Sequence, residues 1–153
     1  NNNYPNVIVT QTLSKAVGLA GIRLGILYAS LEIVSVLNKI KPPYNINQLT
    51  QLKAIEILCD YEKVVAATNT IIQQKEVLEH ALTEVSFVEK IYPSDANFIL
   101  IKVDNANERY DQLVEKGIVI RNRNNDDLCE NCLRITVGTE VENQKLIQTL
   151  KTI

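Results

Sequence analysis

The pattern of hydrophobic and polar residues changes about halfway along the chain. In the first half, the β-branched run at residues 7–10 predicts a buried strand, and the apolar residues 22–29 predict a second strand. Ser30 is a typical N-cap for a helix with one apolar face, which should stop at Pro42-Pro43. Helical spacing then runs from residue 46 to 85 and indicates two helices or one long kinked helix.

Beyond Val85 the pattern predicts short strands and helices in alternation. The expected strands are residues 88–92, 98–103, 118–121 and 133–137. The expected helices are residues 107–116, with Gly117 as a C-terminal cap, and residues 140–150. The order strand, strand, helix, strand, strand, helix is typical of a compact α+β lobe.

Composition narrows the class of protein. The 153 residues are 46% hydrophobic and 22% charged with a net charge of -2, which is typical of a globular protein and unlike a nucleic-acid or membrane-surface binder. No apolar run approaches the roughly 18 residues of a membrane span, so we expect a cytoplasmic protein that binds neither nucleic acid nor a membrane. The sequence contains no Met, so we also expect that it begins inside a longer protein.

A candidate anion site follows the first predicted strand. Thr12 and Ser14 precede Lys15, and a glycine-rich stretch leads from there to Arg23. Two hydroxyls, a guanidinium and backbone N–H groups are the convergent donors that a phosphate requires. The Gly-Lys-Ser/Thr order of a P-loop is absent. A lysine that forms a Schiff base beside a bound phosphate and an ordinary surface lysine in a tight turn both remain open.

Two arginines lie within apolar strand sequences. Alternation along its strand places Arg134 on the face opposite Leu133 and Ile135. Arg121 and Arg134 could converge on an anionic group of a substrate. Alternatively, each could face water at a sheet edge, where charges block aggregation.

The remaining candidate groups indicate little chemistry. Cys129 and Cys132 form a single CxxC motif, which without a second ligand pair is more often incidental than a redox or zinc site. His80 lies on the polar side of a predicted helix. We therefore expect neither a metal site nor a catalytic histidine.

Two runs carry a family resemblance. Residues 12–25, TLSKAVGLAGIRLG, resemble the pyridoxal-phosphate lysine motif of the histidinol-phosphate aminotransferases, which belong to the fold-type I aminotransferase superfamily. Residues 132–139, CLRITVGT, resemble the substrate-arginine strand of the same family. The resemblance is narrowed from the superfamily to this family by Pro43-Tyr44, residues 96–98 and residues 117–121. It extends from about Tyr4 to the end of the chain.

The resemblance implies a cofactor site and a substrate site. Lys15 would bind pyridoxal 5'-phosphate covalently and move the proton during catalysis, and Thr12, Ser14 and Arg23 would hold the cofactor phosphate. The substrate phosphate would be bound by Arg121 and Arg134, with Tyr44 near the same pocket. The implied reaction is transamination of histidinol phosphate with 2-oxoglutarate in histidine biosynthesis. Threonine-phosphate decarboxylation and transamination of aromatic substrates are alternatives within the superfamily.

The resemblance also implies a domain organisation. The fold would be α/β plus α+β, with residues 1–60 forming the C-terminal part of the large cofactor-binding domain and residues 61–153 the small C-terminal domain. The family's other ring-binding residues belong to an N-terminal half that this sequence does not contain. The intact enzyme would be a homodimer, and we expect this chain alone to be inactive. An inert association or folding module is the alternative that involves no enzyme.

Overall fold

The chain forms two compact units in a computed structural model that describes residues 4–153. The units are Asn1–Thr68 and Asn69–Ile153. The division falls within a long helix, a little beyond residue 60, the predicted end of the first domain. No helix in this described part of the chain combines the length and hydropathy needed to cross a membrane.

The first unit contains a strand hairpin followed by helices. Its elements are β1 (Val9–Thr12), β2 (Gly25–Tyr28), α1 (Leu31–Ile40), α2 (Gln48–Leu58) and the start of α3 (Tyr61–Leu82). β1 and β2 pair antiparallel, and a short 3-10 helix, Ala20–Ile22, lies in the connection between them. The prediction of Ser30 as the N-cap of α1 is confirmed, since its Oγ accepts a hydrogen bond from the Ile33 N–H at 3.5 Å.

Two predictions for the hairpin are wrong. The second strand begins at Gly25 rather than at residue 22, because the 3-10 helix ends at Ile22 and Arg23 then adopts a left-handed φ of 54°. The first strand is not buried, since all four residues of β1 are exposed. Among the described residues β1 has a single strand partner, β2, so its β-branched sequence reflects strand propensity rather than burial in the first unit.

The second unit is a four-stranded antiparallel sheet packed against helices. After the end of α3, its elements are β3 (Val88–Ile91), β4 (Phe98–Val103), α4 (Ala106–Glu115), β5 (Arg121–Asn122), β6 (Cys132–Thr136) and α5 (Glu140–Leu150). The strand order is β3-β4-β6-β5. The alternating burial of β4 shows that one face of the sheet is the core face.

That core face packs against all three helices of the unit. Ile99 and Ile101 pair with Ile135 and Leu133 across the β4-β6 ladder, and all four side chains are buried. The helical side chains in the same core are Leu78, Leu82, Ala106, Leu113, Leu146 and Leu150. We call the opposite side the second face, and it carries Lys90, Phe98, Leu100, Lys102, Arg121, Cys132 and Arg134, which the strand register places together.

One strand of the second unit is much shorter than predicted. β5 covers two residues, Arg121–Asn122, rather than residues 118–121. The Ile118 N–H donates to the Leu113 carbonyl at 2.9 Å, and Gly117 has a φ of 72°, so these residues close the end of α4 instead of joining the sheet. Ile118 and Ile120 are apolar because they contact the core.

Candidate functional site

Lys15 lies in a tight turn directly after β1. The Gly18 N–H donates to the Lys15 carbonyl at 2.9 Å, and Gly18 adopts a left-handed φ of 73° that a glycine reaches at little cost. The Lys15 side chain is exposed. The backbone therefore turns sharply at the residue whose amine the sequence singles out, and that amine remains accessible to a ligand.

Buried residues on both sides hold this turn in place. Leu13 is 1% exposed and Leu19 is 8% exposed, and the Leu19 N–H donates to the Leu13 carbonyl at 2.8 Å. Thr50, which is buried on α2, donates from its Oγ1 to the Ile22 carbonyl at 3.2 Å. Sequence reasoning did not identify Thr50, because a threonine within a helix gives no signal that its hydroxyl bonds a distant loop.

The predicted phosphate-binding residues lie at the same end of the β1-β2 hairpin. Thr12 pairs with Gly25, and the Leu13 N–H donates to the Leu24 carbonyl at 3.4 Å, so Ser14 lies just after β1 and Arg23 just before β2. The Ser14 N–H donates to the Thr12 Oγ1 at 3.1 Å. Two hydroxyl groups and a guanidinium therefore occupy one short stretch of backbone, as an anion site requires.

Arg23 is held in the loop by its own backbone conformation. Its φ of 54° is left-handed, and its Nη1 donates to the Ala20 carbonyl at 3.2 Å. A non-glycine residue in this region costs on the order of 1 kcal/mol or more. The side chain is exposed, so its other donors remain accessible to an anion.

Arg121 and Arg134 are direct cross-strand partners in the β5-β6 ladder. Alternation holds as predicted, since Leu133 and Ile135 are each 1% exposed in the core while Arg134 points to the second face. The Arg134 guanidinium lies over the Phe98 ring, with Cζ 5.0 Å from the ring centroid. Phe98 on β4 thus supports the arginine, a role that sequence reasoning did not assign.

The electrostatics of this pair favour an anion. Like charges directly opposite each other in a ladder are destabilising. The Arg134 Nε is buried and has no hydrogen-bond partner among the described residues, and a buried donor without a partner costs about 1–3 kcal/mol. A bound phosphate or carboxylate would relieve both penalties. The arrangement is therefore suited to anion recognition.

Tyr44 lies in the segment between α1 and α2 of the first unit, and its side chain is 97% exposed. Thr12, Ser14, Lys15 and Arg23 belong to the same unit, whereas Arg121 and Arg134 belong to the second. Within the described residues, no group of three or more His, Cys, Asp or Glu side chains could hold a metal ion. His80 is exposed on α3.

Comparisons with known proteins identify a family. The family described as Aminotransferase class I and II matches residues 2–150. The histidinol-phosphate aminotransferase of Flavobacterium johnsoniae is 63% identical over 150 residues, which cover 98% of this chain and 43% of that protein. The chain thus spans less than half the length of this curated relative.

Solved structures show the same correspondence. The crystal structure of the histidinol-phosphate aminotransferase from Clostridium acetobutylicum matches with a TM-score of 0.89 and 26% identity, covering 99% of this chain and 46% of that one. The enzyme of the same name from Sinorhizobium meliloti, in complex with pyridoxal-5'-phosphate, matches with a TM-score of 0.81 and 25% identity over 97% of this chain and 41% of that one.

Proposed function

Because the chain belongs to the class I and II aminotransferases, we propose that it provides the lysine loop and the substrate arginines of a histidinol-phosphate aminotransferase. The observation that carries this proposal is the 63% identity to a curated enzyme of that name over 98% of the chain. The reaction would exchange the amino group between histidinol phosphate and 2-oxoglutarate. Since the chain corresponds to 43% of that relative, the activity is proposed for the complete polypeptide that contains this sequence.

The lysine loop fits pyridoxal phosphate. Lys15 offers an exposed amine for the covalent bond, and the hydroxyls of Thr12 and Ser14 with the Arg23 guanidinium offer donors for the cofactor phosphate. When bound, pyridoxal phosphate supplies an electron sink that stabilises negative charge on the substrate Cα. Lys15 would accept the proton from the Cα of the amino donor and, in the second half of the exchange, would deliver a proton to the Cα of the acceptor.

The turn around Lys15 would position its amine for this transfer. Leu13 and Leu19 anchor the backbone on both sides, and Thr50 fixes the Ile22 carbonyl that precedes Arg23. An amine that moves a proton must lie within hydrogen-bond reach of the reacting carbon. The buried anchors would therefore limit how far the Lys15 backbone can move.

The arginine pair would bind the phosphate of histidinol phosphate. Arg121 and Arg134 lie on neighbouring strands, and each guanidinium offers a planar fork of donors. The Arg134 Nε is a buried donor that has no partner among the described residues. The Phe98 ring under Arg134 would hold the guanidinium in place. Tyr44, whose hydroxyl is exposed in the first unit, is a further proposed substrate-binding residue.

The test is an assay of the complete polypeptide with pyridoxal phosphate, glutamate and imidazole-acetol phosphate. We expect formation of histidinol phosphate, and a loss of at least about 10²–10⁴-fold in Lys15→Ala, since a positioned proton-transfer group contributes a factor of that order. Lys15→Arg should lose as much, because it keeps the charge but forms no covalent bond. Arg134→Ala should lower kcat/KM about 10- to 100-fold, given roughly 1.5–3 kcal/mol for a charge-assisted hydrogen bond.

A cofactor-loaded protein that does not convert imidazole-acetol phosphate but aminates another keto acid would refute the substrate assignment. Full activity in Lys15→Arg would instead refute the role of the lysine. The first result therefore tests which substrate is used, and the second tests whether Lys15 takes part in the reaction.

A further inference from the structure

The turn formed by Cys129–Cys132 has no part in the proposed function. The Cys132 N–H donates to the Cys129 carbonyl at 2.9 Å, which closes a four-residue turn. The first and last Cα atoms of such a turn lie within about 7 Å of each other, and disulfides span Cα separations of about 4.4–6.8 Å. The backbone therefore holds the two cysteines at or near the distance that a disulfide requires.

The surrounding loop supports this turn. Asn131, its third residue, adopts a left-handed φ of 56°, a conformation that asparagine tolerates. The Asn131 N–H donates to the Asn124 Oδ1 at 2.8 Å, and its carbonyl accepts from the Val103 N–H at 2.9 Å. The turn is thus fixed to the loop on one side and to the end of β4 on the other.

The two sulfur atoms differ in accessibility. Cys129 is partly exposed, whereas Cys132 is 1% exposed on β6. Burial raises the pKa of the Cys132 thiol, and the neighbouring Cys129 raises it further. An external reagent would therefore meet Cys129 first, and Cys132 would react from inside the turn.

Polar neighbours distinguish Cys132 from an inert core cysteine. Lys102 is its cross-strand partner on the second face, and its ammonium acts against the other effects by lowering the pKa of the thiol. The Tyr92 hydroxyl interacts with the same thiol, and the pKa of Tyr92 is raised, first by burial and then by this cysteine. These two neighbours offset burial only in part, and the pKa of the Cys132 thiol stays raised, so Cys132 is suited to the second, internal step rather than to the first attack.

We propose that Cys129 and Cys132 form a reversible redox pair that exchanges with small-molecule disulfides. The Cys129 thiolate attacks one sulfur of the disulfide, whose S–S bond breaks and releases one thiolate. The Cys132 thiolate then attacks the Cys129 sulfur, so that the Cys129–Cys132 bond forms, the mixed disulfide breaks and a second thiolate leaves. The two cysteines are oxidised, the small molecule is reduced to two thiols, and the two cysteine protons pass through solvent to the leaving thiolates.

The test uses oxidised glutathione with the 153-residue chain carrying Cys59→Ser, which removes the exposed cysteine of the first unit. After an acid quench, we expect a protein mass lower by two hydrogens, no attached glutathione, and a peptide cross-linked between Cys129 and Cys132. In the matched chain with the additional substitution Cys132→Ser, glutathione should remain on Cys129. Glutathione that persists on the intact pair, or no reaction at either thiol, would overturn the proposal.

A second measurement tests whether the folded turn, rather than the CxxC spacing alone, favours the disulfide. At a fixed ratio of reduced to oxidised glutathione, the equilibrium constant for closing the disulfide should be at least about tenfold larger in the folded chain than in urea, a difference of about 30 mV. Equal constants would show that the turn does not bring the sulfurs together, and would refute the proposal even if Cys132→Ser did not fold.

Discussion

The cross-strand pair of Arg121 and Arg134 gives a prediction about charge. Removing one charge from two directly opposed arginines should relieve their repulsion, which is worth about 0.2–1 kcal/mol in a ladder. We expect Arg121→Gln to unfold at a higher urea concentration than the parent chain at low salt. Inorganic phosphate should stabilise the parent and have much less effect on the variant, because the anion then meets a single guanidinium.

Arg123→Gln is the matched control for that experiment. It removes the same charge from the loop after β5, where Arg123 forms an ion pair with Asp126 rather than facing Arg134. The control should keep the phosphate response of the parent. If Arg121→Gln kept that response while Arg123→Gln lost it, anion binding by the arginine pair would be refuted.

The arginine pair shows which properties of a single residue can be predicted from the sequence. The side of the sheet that Arg134 faces follows from strict alternation and is confirmed. Its position opposite Arg121 and over Phe98 depends on which strands pair and in which register. That register is a tertiary property, because β5 and β6 are joined by a loop whose path no local pattern determines.

Helix α5 begins with a capping box, which makes one carboxylate sensitive to acid. The Glu142 Oε2 accepts hydrogen bonds from the Thr139 N–H at 2.7 Å and from its hydroxyl at 2.8 Å. These bonds, the backbone one foremost, lower the pKa of Glu142 from its ordinary 4.5. A group whose pKa is depressed on folding contributes stability above its unfolded pKa, and that stability is lost as pH falls through its folded pKa.

We therefore expect Glu142→Gln to lose less free energy of unfolding than the parent when the pH falls from about 5 to about 3. Urea denaturation followed by circular dichroism at each pH measures the difference. Glu140→Gln is the matched control, since Glu140 lies in the same turn but bonds Gln144 instead of the cap. The interpretation fails if both variants keep the acid dependence of the parent.

The sequence predicts a helix or strand well when the residues of that element themselves indicate its type and its ends. β4 and α5 have the predicted bounds, because β4 is a nearly continuous apolar run, FILIKV, and α5 has a cap at its start. Helix α2 shows a property that the sequence does not predict. Its apolar residues Leu49, Leu52 and Ile55 are exposed, while Thr50 and Ala54 on another side are buried against the lysine loop. Periodicity identifies an apolar face, but not which contacts a helix makes.

At the scale of the molecule, the two units have unequal cores. Among the described residues, the buried cluster of the first unit consists of Leu13, Leu19 and Ala54. The cluster of the second unit combines buried side chains of β4 and β6 with those of three helices, and β3 packs against it. Since buried apolar area is the main stabilising contribution, we expect the first unit, which carries Lys15, to open more readily than the second.

The substitution Leu13→Ala tests whether the first unit is less stable than the second and whether the two units unfold independently. Leu13 is 1% exposed in a small cluster, so its truncation should cost about 2–5 kcal/mol, a large share of what holds the lysine loop. Hydrogen exchange should show faster amide exchange in β1, β2 and α2, with β4 and β6 still protected. Leu113→Ala, the matched truncation in the second core, should accelerate exchange in β4 and β6 instead. Equal loss of protection in both units from Leu13→Ala alone would mean that the chain unfolds as one cooperative body, and that the lysine loop is no less stable than the arginine sheet.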